Sequence, residues 1–290
     1  MFAAIVINGL VFGGVYALLA IGFALVFGVA KIMNLSHSAF YMICAFLIYM
    51  GTTMMGLPLL LSAGLAIILS TLFGMLCYKL LFDRVKAHNF TVMIITVAVG
   101  MLFAEVLLLI FSGNPRRIPP LIPGFVEIGD VRVTYQHLLA IVTVGVVICL
   151  LWLLLSKTRL GIAIRAVSED RQIANLMGID VSRICMVTVG ISVAMAGLAA
   201  IVVAPILSVN PMMWVAPLPA ILAAVVLGGL GSIKGCIVGA FILGFAETGV
   251  VFLVPGGSFL RGAVSMAVMV IVLLFRPEGL YGVVFEEERL

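Results

Sequence analysis

Residues 4–30 read AIVINGLVFGGVYALLAIGFALVFGVA, an unbroken apolar stretch without one Asp, Glu, Lys or Arg. It is longer than the roughly 20 residues needed to cross the hydrocarbon core of a bilayer. Similar stretches occupy residues 37–55, 58–82, 90–112, 137–155, 184–207, 217–231, 235–254 and 261–275, giving about nine candidate spans. The first is long enough to contain a kink, and the run Gly228-Gly229-Leu230-Gly231-Ser232-Ile233-Lys234-Gly235 splits 217–254. Eight spans is therefore the alternative count.

Composition agrees. The 290 residues are 64% hydrophobic and 10% charged, with mean hydropathy +1.36, whereas a soluble domain carries about 25% charged residues. A backbone in lipid must satisfy its own N–H and C=O groups, and the alternation of barrel strands is absent, so the spans are expected to be helices. The expected fold is an all-α polytopic membrane protein, one transmembrane domain over residues 1–290.

Charge sets an expected orientation. Arg116, Arg117, Arg132 and Arg261 fall on one side, and the other twelve of the sixteen basic residues fall opposite. The richer side is assigned to the cytoplasm, which puts the N-terminus outside and the C-terminus inside. No Lys or Arg precedes Lys31, so the start does not read as a cleavable signal. Pro115–Pro123 and Pro211–Pro219 read as external loops with fixed bends.

Several chemistries are excluded. The net charge of +4 is scattered through short loops without interleaved aromatics, which argues against nucleic acid. Cys44, Cys77, Cys149, Cys185 and Cys236 are isolated among apolar residues and read as packing groups. The glycine run lacks the spacing of a phosphate loop, and no nucleophile with a nearby base points to catalysis.

The largest polar stretch is 157–183. Ser168 is read as the N-cap of a short helix, with Glu169 and Asp170 in its first turn and Gly178 in αL just past its end. Ile173, Leu176 and Met177 share one side of that helix, while Arg171, Gln172 and Asn175 point elsewhere. Such a helix needs a surface to lie on: the chain's own cytoplasmic face, lipid headgroups, or a partner protein.

Polar groups inside spans are functional candidates because burying them in lipid is costly. Glu247 sits among Gly239, Gly244 and Gly249 and is read as a pathway or interhelical group. Glu105, flanked by Leu and Phe, is read as packing or snorkelling. Asn8 and Tyr16 are polar positions in the first span. Asn34 and His37 are placed at the cytoplasmic turn after it, as helix caps or pathway lining.

Four patches resemble one family in order along the chain. They are Asn8-Gly9 with Tyr16 to Gly22, Phe27 to Val29 and Ile32 to His37; Gly161 to Asp170 through Asn175 to Ile179; Ala224 to Ser232 and Gly235 with Leu243 to Glu247; and Phe275 to Leu280. Together they resemble the inner-membrane permease subunit of the branched-chain amino-acid ABC transporter family. One departure follows His37, where Ser38-Ala39-Phe40 replaces the family's Gly and frequent acidic residue.

The resemblance implies an ABC importer permease fold with a cytoplasmic coupling helix, multi-pass in a bacterial inner membrane. ATPase coupling would involve Gly161, Arg165, Ala166, Ser168, Glu169, Asp170, Ile173, Asn175, Leu176 and Gly178. Asn8, Tyr16, Asn34, His37 and Glu247 would belong to the translocation pathway. The implied partners are a second homologous permease, two cytoplasmic ATP-binding subunits and an extracytoplasmic solute-binding protein meeting loops 113–136 and 208–217. ATP and Mg would sit on the partner subunits, leaving this chain without a cofactor or enzymatic role. Alternative readings are an ABC permease for urea or short amides and a secondary amino-acid transporter, though two lone intramembrane glutamates offer little for ion coupling.

Overall fold

The computed structural model describes residues 2–85, 89–128, 131–229, 231–276 and 278–281. Lys86, Leu230, Pro277, Arg289 and the expected cytoplasmic C-terminus lie outside the described residues. The helices in chain order are α1 Phe2–Ala30, α2 His37–Tyr49, α3 Leu59–Cys77, α4 Asp83–Val85, α5 Asn89–Phe111, α6 Tyr135–Lys157, α7 Arg159–Glu169, α8 Arg171–Leu176, α9 Val181–Val203, α10 Leu218–Gly228, α11 Ile233–Leu253 and α12 Arg261–Phe275. Between α5 and α6 lies an antiparallel hairpin of β1 Phe125–Ile128 and β2 Val131–Thr134.

Eight helical segments among the described residues are long and apolar enough to cross a membrane. π-helical turns extend α2 to Met54 and join α3 to α4, so His37–Met54 and Leu59–Val85 count as single segments. The stretch expected at 217–231 is only the 11-residue helix α10, too short to span at 1.5 Å per residue. The alternative count of eight is the one found.

α1 runs unbroken and forms the centre: Ala17 to Ala20 and Ile21 are fully buried. It packs against α11, α9, α10 and α6. In lipid, apolar surface alone does not draw helices together, and close approach of small residues does much of that work. A Cβ on Gly244 would collide with the backbone of Gly13, and one on Gly13 would lie 2.8 Å from Phe241 Cδ1. Gly9 faces the Phe245 ring in the same way. Numbers rise along α1 as they fall along α11, so the two helices are antiparallel.

The segment after α1 departs from expectation. Lys31, at φ 51°, is exposed, but the chain then folds back beside α1. Asn34 and His37 are each 1% exposed, so they do not sit on a surface turn. His37 lies against Gly22, whose Cβ would come 2.8 Å from His37 Cε1, about 12 Å before the end of α1. Non-helical backbone at such depth needs partners from neighbouring helices. Thr96 of α5 supplies one, accepting from the Leu35 N–H at 3.2 Å. Capping of α2 comes from the backbone, with His37 N donating to the Asn34 carbonyl at 3.2 Å, while Asn34 Oδ1 accepts from the Ser36 hydroxyl at 2.6 Å.

Candidate functional site: a helical corner and a polar cluster between spans

Where one nine-residue helix was expected in 157–183, the chain forms two helices meeting at a corner. Thr158 caps α7, its Oγ1 accepting from Gly161 N at 3.0 Å. Gly161 is required there, since a Cβ would run into the carbonyls of Leu154 and Leu155 on α6. Ser168 is not an N-cap: it lies in the last turn of α7 and donates to the Arg165 carbonyl at 2.7 Å. Asp170 caps α8 instead, accepting from Gln172 N at 2.7 Å and Ile173 N at 2.9 Å. Its extended backbone, φ −148° and ψ 116°, breaks the helix and aims the carboxylate along the new axis. Ala166 ends α7 by accepting the Asp170 N–H.

Gly178, at φ +83°, closes α8 as expected. Ile179 N donates to the Ala174 carbonyl and Gly178 N to the Asn175 carbonyl, the paired bonds of a Schellman ending. Arg171 locks the corner to the bundle, donating from Nε and Nη2 to the Val29 carbonyl at 3.1 and 2.6 Å. A cation there also meets the negative end of the α1 dipole.

Ala174 of α8 is buried, but the large apolar side chains of α8 and its C-cap stay uncovered: Ile173 is 60%, Leu176 85% and Met177 78% exposed. Of the three candidate surfaces, the chain's own face is therefore not the one they use. Glu169, Asn175 and Arg165 are exposed beside them.

The second constellation lies between spans. Tyr16 Oη donates to Glu247 Oε2 at 2.7 Å, and the Ser265 hydroxyl of α12 donates to Glu247 Oε1. Helical side chains lean toward their own N-terminus, so on antiparallel α1 and α11 the two groups tilt toward each other. Glu247 is 3% exposed and keeps both oxygens bonded, as a polar group in a membrane interior should.

A cavity of about 550 Å³ opens beside this cluster. Tyr16, Tyr41, Asn210, Glu247 and Arg261 supply its polar wall, and Phe12, Val15, Leu207 and Met213 are among its apolar ones. Arg261 lies over the Phe12 ring at 4.6 Å and forms no salt bridge with Glu247 among the described residues. Sequence reading missed Arg261 and Ser265. Their i, i+4 spacing on an otherwise apolar helix was the available signal.

The remaining predicted residues do not join this cluster. Asn8 Nδ2 bonds back to the Ala4 carbonyl. His37 shares a 3.0 Å hydrogen bond with Ser192 of α9, and its Nε2 has no partner among the described residues. Glu105 is exposed on α5, about 9 Å from the end of that helix at Phe111. On the face with Arg116, the loops flanking α5 and α10 are joined: Arg116 and Val209 exchange two backbone hydrogen bonds of 2.8 Å.

Residues 5–275 match the family model for branched-chain amino acid transport system permease components. The chain is 34% identical to the high-affinity branched-chain amino acid transport system permease protein BraD of Pseudomonas aeruginosa, over 95% of this chain and 94% of that protein. It is 32% identical to the corresponding permease protein LivH of Escherichia coli K12, with the same coverage. Among solved structures, PsaBC of Streptococcus pneumoniae in complex with Fab shares the fold, with TM-score 0.52 and 16% identity over 94% of this chain and 92% of that one.

Proposed function

Because this chain belongs to the family of branched-chain amino acid transport permease components, we propose that it is the permease subunit of an ATP-driven importer of branched-chain amino acids. The observation that carries the ATP-driven part is the α7–α8 corner, which presents Ile173, Leu176 and Met177 to the outside while Arg171 ties its base to the end of α1. A helix of six residues is unstable alone. Two capping bonds, the Schellman ending and the arginine anchor make this one a rigid lever that an external motor can push.

The motor is a pair of ATP-binding subunits carrying ATP and Mg, docked on α8 in the cytoplasm. A solute-binding protein meets the opposite face, where the Arg116–Val209 bridge joins two loops into one surface. A second, homologous permease completes the core in a bacterial inner membrane.

The pathway passes the cavity at Tyr16 and Glu247. A branched-chain amino acid carries opposite charges on its head and an apolar side chain. Glu247 and Arg261 line one cavity unpaired with each other, beside Val15, Leu207 and Met213. In this reading the carboxylate takes the substrate's ammonium, the guanidinium takes its carboxylate, and the apolar wall takes the side chain. Urea or a short amide has no use for two separated charges, which favours the amino-acid reading. Asn34 and His37 belong to a deeper stretch of the route, and Asn8 to its rim.

The test is purification of the chain with its accompanying subunits, followed by reconstitution. ATP-dependent leucine uptake requiring those subunits supports the reading. Uptake by the chain alone on a proton or sodium gradient overturns it.

A further inference from the structure

α1, α6, α7 and α11 line a groove of about 480 Å³ apart from the pathway cavity, sharing only Arg165 with the residues expected in ATPase coupling. Its walls are apolar, with Ile148, Leu151 and Trp152 from α6 facing Ile237 from α11. Its mouth is not apolar. Arg165 and Lys234 stand there together, both exposed, and neither side chain makes a salt bridge or hydrogen bond among the described residues. Ser156, at the same end, buries a hydroxyl with no hydrogen-bond partner among the described residues.

Beyond the two cations the space continues into a hollow of about 290 Å³ with a more polar lining, including Ser168 and Ser232. Arg165 and Lys234 line both spaces and so mark the joint between them. Along α6 the apolar part runs from Ser156 to Gly145, about 16 Å, close to the roughly 15 Å depth of one leaflet of the hydrocarbon core. It leads on into a second apolar hollow of about 270 Å³, which shares Gly145 and Ile148.

We propose that this groove holds one anionic phospholipid from the leaflet on the α7–α8 side. Its phosphate lies between Arg165 and Lys234, Ser156 donates to a phosphate or glycerol oxygen, and an acyl chain runs along α6 past Gly145. An apolar groove that ends at a basic, serine-bearing mouth matches an acyl chain and a headgroup, and two cations that are unpaired among the described residues select negative charge there, as basic pockets between membrane helices do. Arg165 is on α7 and Lys234 on α11, so the bound phosphate ties the coupling corner to the helix that carries Glu247.

The test is native mass spectrometry of the intact complex, taken from vesicles of equal phosphatidylglycerol and phosphatidylethanolamine into mild detergent. One phosphatidylglycerol is expected to be retained in preference to phosphatidylethanolamine. Lys234→Gln is expected to weaken retention about fivefold, the scale of one lost cation at an anionic membrane surface.

A Cβ on Gly145 meets nothing within 4 Å, so Gly145→Phe should fill the groove and expel the lipid, while Gly145→Ala keeps it. Should Gly145→Phe fail to assemble, Ile237→Trp obstructs the same space from α11. Equal retention of the two lipids, or unchanged retention in the filled variants, overturns the proposal. So does quantitative cross-linking from Ile148→Cys to another polypeptide, which would mean that protein covers the groove.

Discussion

Tyr16 and Glu247, 231 residues apart in sequence, share a 2.7 Å buried hydrogen bond that joins the first span to the span after the glycine run. The bond depends on a glycine crossing. Gly244 sits against the backbone of Gly13, which brings the two helices close enough for side chains leaning from opposite directions to meet.

Gly244→Val should therefore separate α1 from α11. Overpacking at a tight contact costs about 1–3 kcal/mol, and the Tyr16–Glu247 bond would be lost as well. A lower thermal unfolding temperature of the detergent-purified protein, together with loss of uptake, is the expected result.

Tyr16→Phe removes the donor and leaves Glu247 with Ser265 alone. Loss of a hydrogen-bond partner to a buried polar group costs about 1–3 kcal/mol. Uptake should fall about tenfold with expression and membrane insertion unchanged, as measured by radiolabelled leucine uptake against immunoblots of the membrane fraction.

Arg261→Gln takes away the cation proposed for the substrate carboxylate. A charge-assisted hydrogen bond is worth about 1.5–3 kcal/mol, so uptake should fall by about tenfold or more. Arg261→Lys should recover part of it, because it restores the charge without the planar fork. Equal uptake by wild type and Arg261→Gln at limiting substrate would remove Arg261 from the pathway.

At the corner, Leu176→Asp or Glu169→Lys should abolish ATP-driven uptake without affecting insertion. Both residues are exposed, so neither change disturbs internal packing. Failure of the ATP-binding subunits to copurify with Leu176→Asp is the companion measurement.

Asp170→Ala should destabilise α8 by about 1 kcal/mol through the lost cap, whereas Ser168→Ala should be close to neutral. Amide hydrogen exchange at Gln172 and Ile173, whose N–H groups Asp170 holds, separates the two variants.

Membrane class, the long spans and a polar segment whose helix ends at Gly178 were legible in the residues, because each rests on a property that neighbouring residues carry together; that the segment is two helices meeting at a corner was not. Twenty consecutive apolar residues demand a bilayer whatever surrounds them, and Gly178 ends a helix wherever the helix sits. The glycine run splits 217–254 into the short helix α10 and the span α11, which is why hydropathy alone leaves eight or nine spans open. The cap was misplaced because Ser168 and Asp170 are both good capping residues. Only the turn of the backbone at Asp170, imposed by α7 packing on α6 and by Arg171 reaching α1, chooses between them.

Hydropathy could not divide lipid-facing from buried positions, since both are apolar in a membrane. It therefore did not reveal that α1 is central, that residues 31–37 fold back into the bundle, or that α10 is a short helix beside a cavity. Nor could it bring Arg261 and Ser265 near Glu247. Those placements follow from close contacts such as Gly13 on Gly244, 231 residues apart, where local composition marks the small residues but not which of them meet.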